Sequence, residues 1–293
     1  MKTKKRFIAA LMLALAAFAA HADAKTDALV KAAQKNKVAE ARRLIRKKAN
    51  VNAKDDEGDT VLMVAAAYDS PDVAALLIEA GANVNAKSDE GTTALMFTAF
   101  HNSADVAKLL LAAGADANAS DDNGMTALIM AAAWNAADTA RLLIAAGADV
   151  NAKDDNGMTA LMYAVTDKDE LRELTVIEYD SADLVELLLA AGADVNAKVN
   201  DGNTALMFAA GFNSAGVAKL LLAAGADVNA KDNDGDTALM FAASSNSVEV
   251  AKLLLAAGAD MNAKDNDGNT ALMIATDNGA TDVAELLKAA GAR

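Results

Sequence analysis

The sequence has no cysteine, one proline (Pro71), two histidines and one tryptophan in 293 residues, and aromatic side chains make up only 4% of it. Each shortage removes a class of chemistry. Without cysteine there is no disulfide framework, no thiol nucleophile and no cysteine-ligated zinc site. His21 lies in the leader-like N-terminal stretch, so a Ser-His-Asp relay would depend on His101 alone. Ser103 and Asp105 lie too near it in sequence to suggest one. No phosphate-cradling glycine loop is present, and no cofactor is expected. Long apolar runs are scarce as well. Phe7 to Ala20 is the one continuous run, and its 14 residues fall short of the roughly 20 needed to span a bilayer.

That run follows Lys2, Lys4, Lys5 and Arg6 and precedes Ala20-His21-Ala22, with Ala22-Asp23-Ala24 as a second small-residue cleavage site. Basic, apolar and small-residue segments in this order make residues 1–22 a secretory signal peptide. Its form looks bacterial, so the expected location is the periplasm. No cysteine follows to carry a lipid anchor, and no transmembrane segment is expected.

The charge is acidic, with 27 basic and 41 acidic side chains and a net of −14. It is unevenly spread. Residues 25–50 hold nine basic groups and two acids, while residues 51–293 hold 14 basic and 38 acidic ones. An acidic body of this kind argues against nucleic acid, which selects basic surfaces. The basic stretch at 23–50 reads as a capping unit, whose polar outer face keeps an array soluble. The sharper reading gives it a contact with anionic lipid headgroups or with an acidic partner.

What the sequence does have is repetition. Gly202 to Asp234, GNTALMFAAGFNSAGVAKLLLAAGADVNAKDND, is 33 residues long and recurs through the chain. The Gly-x-Thr signature falls at Gly58, Gly91, Gly124, Gly157, Gly202, Gly235 and Gly268, so all spacings are 33 except one of 45. A period of this size marks a repeat array. Within a unit, Thr204 is placed to cap a short apolar helix. Asn213 marks a left-handed turn, as do Asp69, Asn102, Asn135, Asn246 and Gly279. Ser214 is placed to cap a second helix through Val217, Leu220, Leu221 and Leu222, and Gly225 stops it. In the first unit Ser70-Pro71-Asp72 puts proline at the first helical position. The tail that follows leads into a hairpin-like finger. No single unit can bury its own apolar face, so units must stack.

The pattern G-x-T-A-L-M-x-A-A with V-A-K-L-L-L-A-A-G-A-D-V-N-A resembles the ankyrin repeat over residues 26 to 293. The resemblance implies an all-α repeat solenoid of stacked helix-turn-helix units with β-hairpin-like finger loops, filling residues 23–293 with seven repeats after the cap. The family's Thr-Pro-Leu-His is Thr-Ala-Leu-Met here, with Met63, Met96, Met162, Met207, Met240 and Met273, and Ile129 once. This exchange is expected to replace a polar network with adaptable apolar packing. The resemblance also implies a non-catalytic scaffold that binds a protein partner through a concave groove, with an enzyme it inhibits or protects as one such partner. It carries over no catalytic or metal-binding residue.

Constant positions specify the fold, so the variable ones are candidates for binding. The two residues before the left-handed turn vary most, and Tyr68, Phe100, His101, Trp134 and Phe212 fall there. Aromatic anchors of this kind dominate many interfaces. Met125 and Met158 stand at the fingers where other units have Asp, Asn or Thr. The 45-residue unit carries an insertion at about 166–180, with Tyr179 inside it. Phe97, Tyr163, Phe208 and Phe241 read as core. Asp232-Asn233-Asp234-Gly235-Asp236 alternates carboxylates like a calcium loop, but its glycine is one position after Asp234 and Ala243 stands where the distal glutamate would be, so it reads as a solvated turn.

Overall fold

The computed structural model describes residues 24–166 and 181–292. The cleavage sites, most of the insertion and Tyr179 lie outside them. The chain forms two compact units, one ending at Asp149 and one beginning at Val150. All secondary structure among the described residues is helical apart from isolated bridges.

The first unit contains α1 (Ala24–Gln34), α2 (Val38–Arg46), α3 (Val61–Ala67), α4 (Pro71–Glu79), α5 (Ala94–Phe97), α6 (Ala104–Ala112), α7 (Ala127–Ala133) and α8 (Ala137–Ala145). The second contains α9 (Ala160–Thr166), α10 (Ala182–Ala190), α11 (Ala205–Gly211), α12 (Ala215–Ala223), α13 (Ala238–Ser244), α14 (Val248–Ala256), α15 (Ala271–Asp277) and α16 (Thr281–Ala289). Within each unit the helices form two rows. In the first, α1, α3, α5 and α7 stack in one row and α2, α4, α6 and α8 in the other. In the second, α9, α11, α13 and α15 form one row and α10, α12, α14 and α16 the other.

The helices of the first-listed rows are seven residues or fewer beyond α1, too short to persist alone. They survive because almost every side chain is buried by neighbours: all seven residues of α3 and all seven of α7 are. Alanine allows this close approach. The expected left-handed turns are present, with φ of 48 to 52° at Asp69, Asn102, Asn135, Asn213 and Asn246 and 69° at Gly279. The basic cap is a complete helix pair of the same design. Asn36 takes the turn position at φ 46° and Lys48 the stop position at φ 62°, where other units use glycine.

Two expectations about caps are corrected. Thr204 does cap α11, its Oγ1 accepting from Met207 N at 3.4 Å. The methionine is more than apolar filling, however. Its Sδ accepts the Thr204 N–H at 3.4 Å, and Met63, Met96 and Met240 do the same for Thr60, Thr93 and Thr237. A sulfur acceptor therefore closes the capping box that Glu or Gln would normally close. Ser214, by contrast, makes no cap bond to α12; its hydroxyl is buried without a partner, as are those of Ser103, Ser181 and Ser247. Ser103, Ser214 and Ser247 have ψ of 67 to 74°, whereas Ser181 has ψ 0°, and none of the four makes a cap bond. In the first repeat Ser70 Oγ instead donates to Ala33 O of the preceding pair.

The fingers are hairpin-like, with one bridge each at Lys54–Thr60, Lys87–Thr93, Ser120–Thr126, Lys153–Thr159 and Lys231–Thr237. Adjacent fingers are joined by main-chain bonds, such as Asp89 N to Glu57 O at 2.9 Å. Gly58 makes this approach possible: a Cβ there would lie 2.7 Å from Asp89 N, and its φ is +78°. Lysines add a second tie. Lys54 Nζ donates to Lys87 O at 2.7 Å, and Lys87, Lys153, Lys198 and Lys231 repeat the contact. Asparagines add a third. Asn85 Nδ2 donates to Gly114 O at 3.0 Å while its Oδ1 accepts from Asp116 N at 2.8 Å, clamping two repeats with one side chain. Asn52, Asn118, Asn151, Asn196 and Asn229 make the same pair of bonds.

The sulfur caps give a direct check. Met207 and Met240 are buried, whereas Met273 in the last pair is 49% exposed and its sulfur accepts nothing from Thr270. Met207→Leu keeps the volume and strands the buried Thr204 N–H, so it should cost about 1–3 kcal/mol in urea or thermal unfolding. Met273→Leu should change stability by less than about 0.5 kcal/mol.

Candidate protein-binding surface

The second repeat departs from its neighbours where α5 ends. In α3 and α7 the bonding continues four residues back to the cap, as in Tyr68 N to Val64 O and Trp134 N to Met130 O, both at 3.0 Å. After Phe97 the spacing tightens to three: Ala99 N bonds Met96 O at 3.2 Å and Phe100 N bonds Phe97 O at 3.2 Å. Thr98 is the cause. It is fully buried, and its Oγ1 donates to Leu95 O at 2.6 Å, competing with the helix for that carbonyl.

The tightened turn brings together residues from two repeats. Phe100 and Trp134 meet edge to face with ring centroids 4.9 Å apart, and Phe100 and His101 meet the same way at 4.7 Å. Phe100 and Trp134 are half-buried and His101 is exposed. The cluster thus joins an exposed imidazole to two half-buried rings held against each other, a composition suited to an anchor. Asn102 holds the turn against the next repeat, its Nδ2 donating to Asp138 Oδ2 at 3.1 Å and its Oδ1 accepting from Thr139 N at 2.9 Å.

The other sequence candidates fall elsewhere. Tyr68 is half-buried in the first unit, and burial pushes its hydroxyl above the ordinary tyrosine range. Phe212 belongs to the second unit and is 38% exposed, the most exposed aromatic among the described residues. Met125 does not stand at a finger tip. It is buried, and its N–H donates to Asp121 Oδ1 at 2.8 Å. The residue after the finger glycine turns inward, as Asp59 and Thr92 also do, and Met158 is half-buried. The tips are the two residues before that glycine, such as Asp89-Glu90 and Asp122-Asn123, all exposed. Phe97 is core as expected, but Tyr163, Phe208 and Phe241 are only half-buried.

Residues 54–60 and the matching windows of the other fingers hold 16 carboxylates against six lysines. Five of those lysines donate Nζ to a main-chain carbonyl of the next finger. Among the described residues, no group of three or more carboxylate or histidine side chains is arranged to hold a metal ion. The basic cap has its own feature, a cavity of about 610 Å³ lined by Val38, Ala39, Arg42, Arg43, Arg46 and Lys47. Arg43 donates to Glu40, whose carboxyl is held below the usual range by that bond.

The ankyrin family profile, described as ankyrin repeats in three copies, matches residues 6–88, 83–154, 151–232, 174–265 and 216–293. The chain belongs to the ankyrin-repeat family. Its fold is accordingly an all-α repeat solenoid, and ankyrin-repeat proteins are protein-binding scaffolds that are generally non-catalytic. No curated protein matches it closely enough to narrow the partner. No described helix is long and apolar enough to cross a membrane.

Trp134 is the only tryptophan, so its fluorescence reports on the cluster. Phe100→Ala should shift Trp134 emission to the red and lower stability by about 1–2 kcal/mol through lost ring contact and burial. An unchanged spectrum would mean that the two rings do not meet in solution.

Proposed function

We propose that this ankyrin-repeat protein is a non-catalytic binder that takes a protein partner on the Phe100–His101–Trp134 surface, and that it works in the periplasm after removal of residues 1–22. The observation that carries the reading is the aromatic cluster at Phe100, His101 and Trp134, which stands where the second repeat departs from its neighbours at Thr98. An enzyme that is inhibited or protected is the partner class suggested by family analogy. Export is supported by the basic, apolar and small-residue order of the leader.

A photo-crosslinking residue placed at 101 in the source cell should give one discrete adduct, and the same residue at Lys219 should give none. Phe100→Ala with Trp134→Ala, in a chain that keeps its helical circular dichroism, should abolish the adduct. Equal adducts from both positions, or persistence in the double variant, would overturn the assignment.

The cavity in the cap favours one second reading, in which Arg42, Arg43, Arg46 and Lys47 hold the protein to anionic lipid. It requires sedimentation with phosphatidylglycerol vesicles that weakens with salt and is lost when those four residues are neutralised. Partitioning that ignores salt would remove it.

A further inference from the structure

Six of the seven fingers open with an aspartate or serine whose side chain folds back onto the turn; the fifth has Val199 there. Asp55 Oδ1 accepts from Glu57 N at 3.1 Å and from Asp59 N at 2.7 Å. Asp265 does the same, accepting from Asp267 N at 2.9 Å and Asn269 N at 2.7 Å. The second oxygen then needs its own donor. Asp265 Oδ2 receives Asn269 Nδ2–H at 2.9 Å. Asp154 Oδ2 receives the Tyr163 hydroxyl at 2.7 Å. Asp55 Oδ2 is buried and receives none.

The main-chain frames of the first and last fingers match closely, Asp55 N to Asp59 O and Asp265 N to Asn269 O both measuring 3.0 Å. Asp59 therefore stands where Asn269 reaches across to its aspartate, but it carries a carboxyl group. It is only 6% exposed. The charges acting on it are carboxylates: Asp55 and Glu57 of its own finger, Glu90 and Asp89 of the next. Asp56 adds a further negative charge beside Asp55. The nearby lysines are committed elsewhere, Lys54 Nζ to Lys87 O and Lys87 Nζ to Ser120 O.

We propose that Asp55 and Asp59 share one proton, the Asp59 carboxyl donating its O–H to Asp55 Oδ2, and that loss of this proton to solvent loosens the first finger from the second. The pair is a pH-sensitive latch that is closed in mild acid. The second unit holds a related pair. Asp232 Oδ1 accepts from Asp234 N and Asp236 N, and Asp236 Oδ1 is buried without a partner.

The titration runs opposite to that of a salt-bridged carboxylate. Burial first, and neighbouring carboxylates after it, push Asp59 up to about 7, and burial pushes Asp55 up to about 6. A carboxyl whose folded value is raised contributes most stability below its ordinary value near 4. That contribution is lost as pH rises through about 7. The finger should hold at pH 5 and loosen by pH 8.

Asp59→Asn tests this in the full chain, because it installs the permanent N–H donor that the last finger already uses. At constant ionic strength, the variant should match the parent in Tm at pH 5 and exceed it by a few °C at pH 8. Carboxyl carbon NMR of the parent should show an aspartate titrating between about 6 and 7, absent from the variant. A Tm difference that does not change with pH, a variant less stable at both pH values, or aspartates that all titrate near 4 would overturn the proposal.

Discussion

A helix of seven residues cannot bury its own apolar side, and everything else in this protein answers that constraint. Alanine-rich faces let the short helices of one row lie close enough to cover one another. The price in backbone polar groups at so many helix ends is met locally: threonine oxygen and methionine sulfur at the starts, left-handed asparagine or glycine at the turns. Between repeats, Asn85 and its counterparts supply paired bonds to main-chain groups of the next unit. These contacts are local in sequence, so each pair of neighbours is a nearly separate stabilising element.

Most of this architecture was legible from spacing. The 33-residue period, the positive-φ turns and the glycine stops are consequences of single residue types whose backbone preferences are strong, and they stand where the sequence puts them. The errors came where a side chain had a choice of partner. Ser214 could have capped α12 and instead points inward. Methionine at the family's histidine position looked purely apolar because sulfur is a weak acceptor that matters only when an amide is aimed at it. Met125 is buried because the finger tip lies before the glycine and the residue after it turns inward.

The candidate surface was half legible. The variable column did identify Phe100, His101 and Trp134, but nothing in the spacing said that Phe100 would meet Trp134 of the next repeat. The contact stands beside Thr98, a residue that differs from alanine by two heavy atoms at a fully buried site. Its hydroxyl has no water to bond, so it takes Leu95 O and retunes the helix end. Buried threonine in an otherwise alanine column is the sequence signal that could have pointed there.

The sulfur caps also give the protein an order in which oxidants reach it. A thioether is attacked where it is accessible, and the cap methionines are hidden wherever another repeat lies over them. Met273 alone in that column is half open to solvent, and its sulfur holds no amide. Conversion to the sulfoxide therefore begins at the cap with nothing to lose. The same lesion at Met207 or Met240 would put a polar S–O group into the stacked core and disturb an N–H acceptor at once, so damage to the array is delayed until the repeats have already opened.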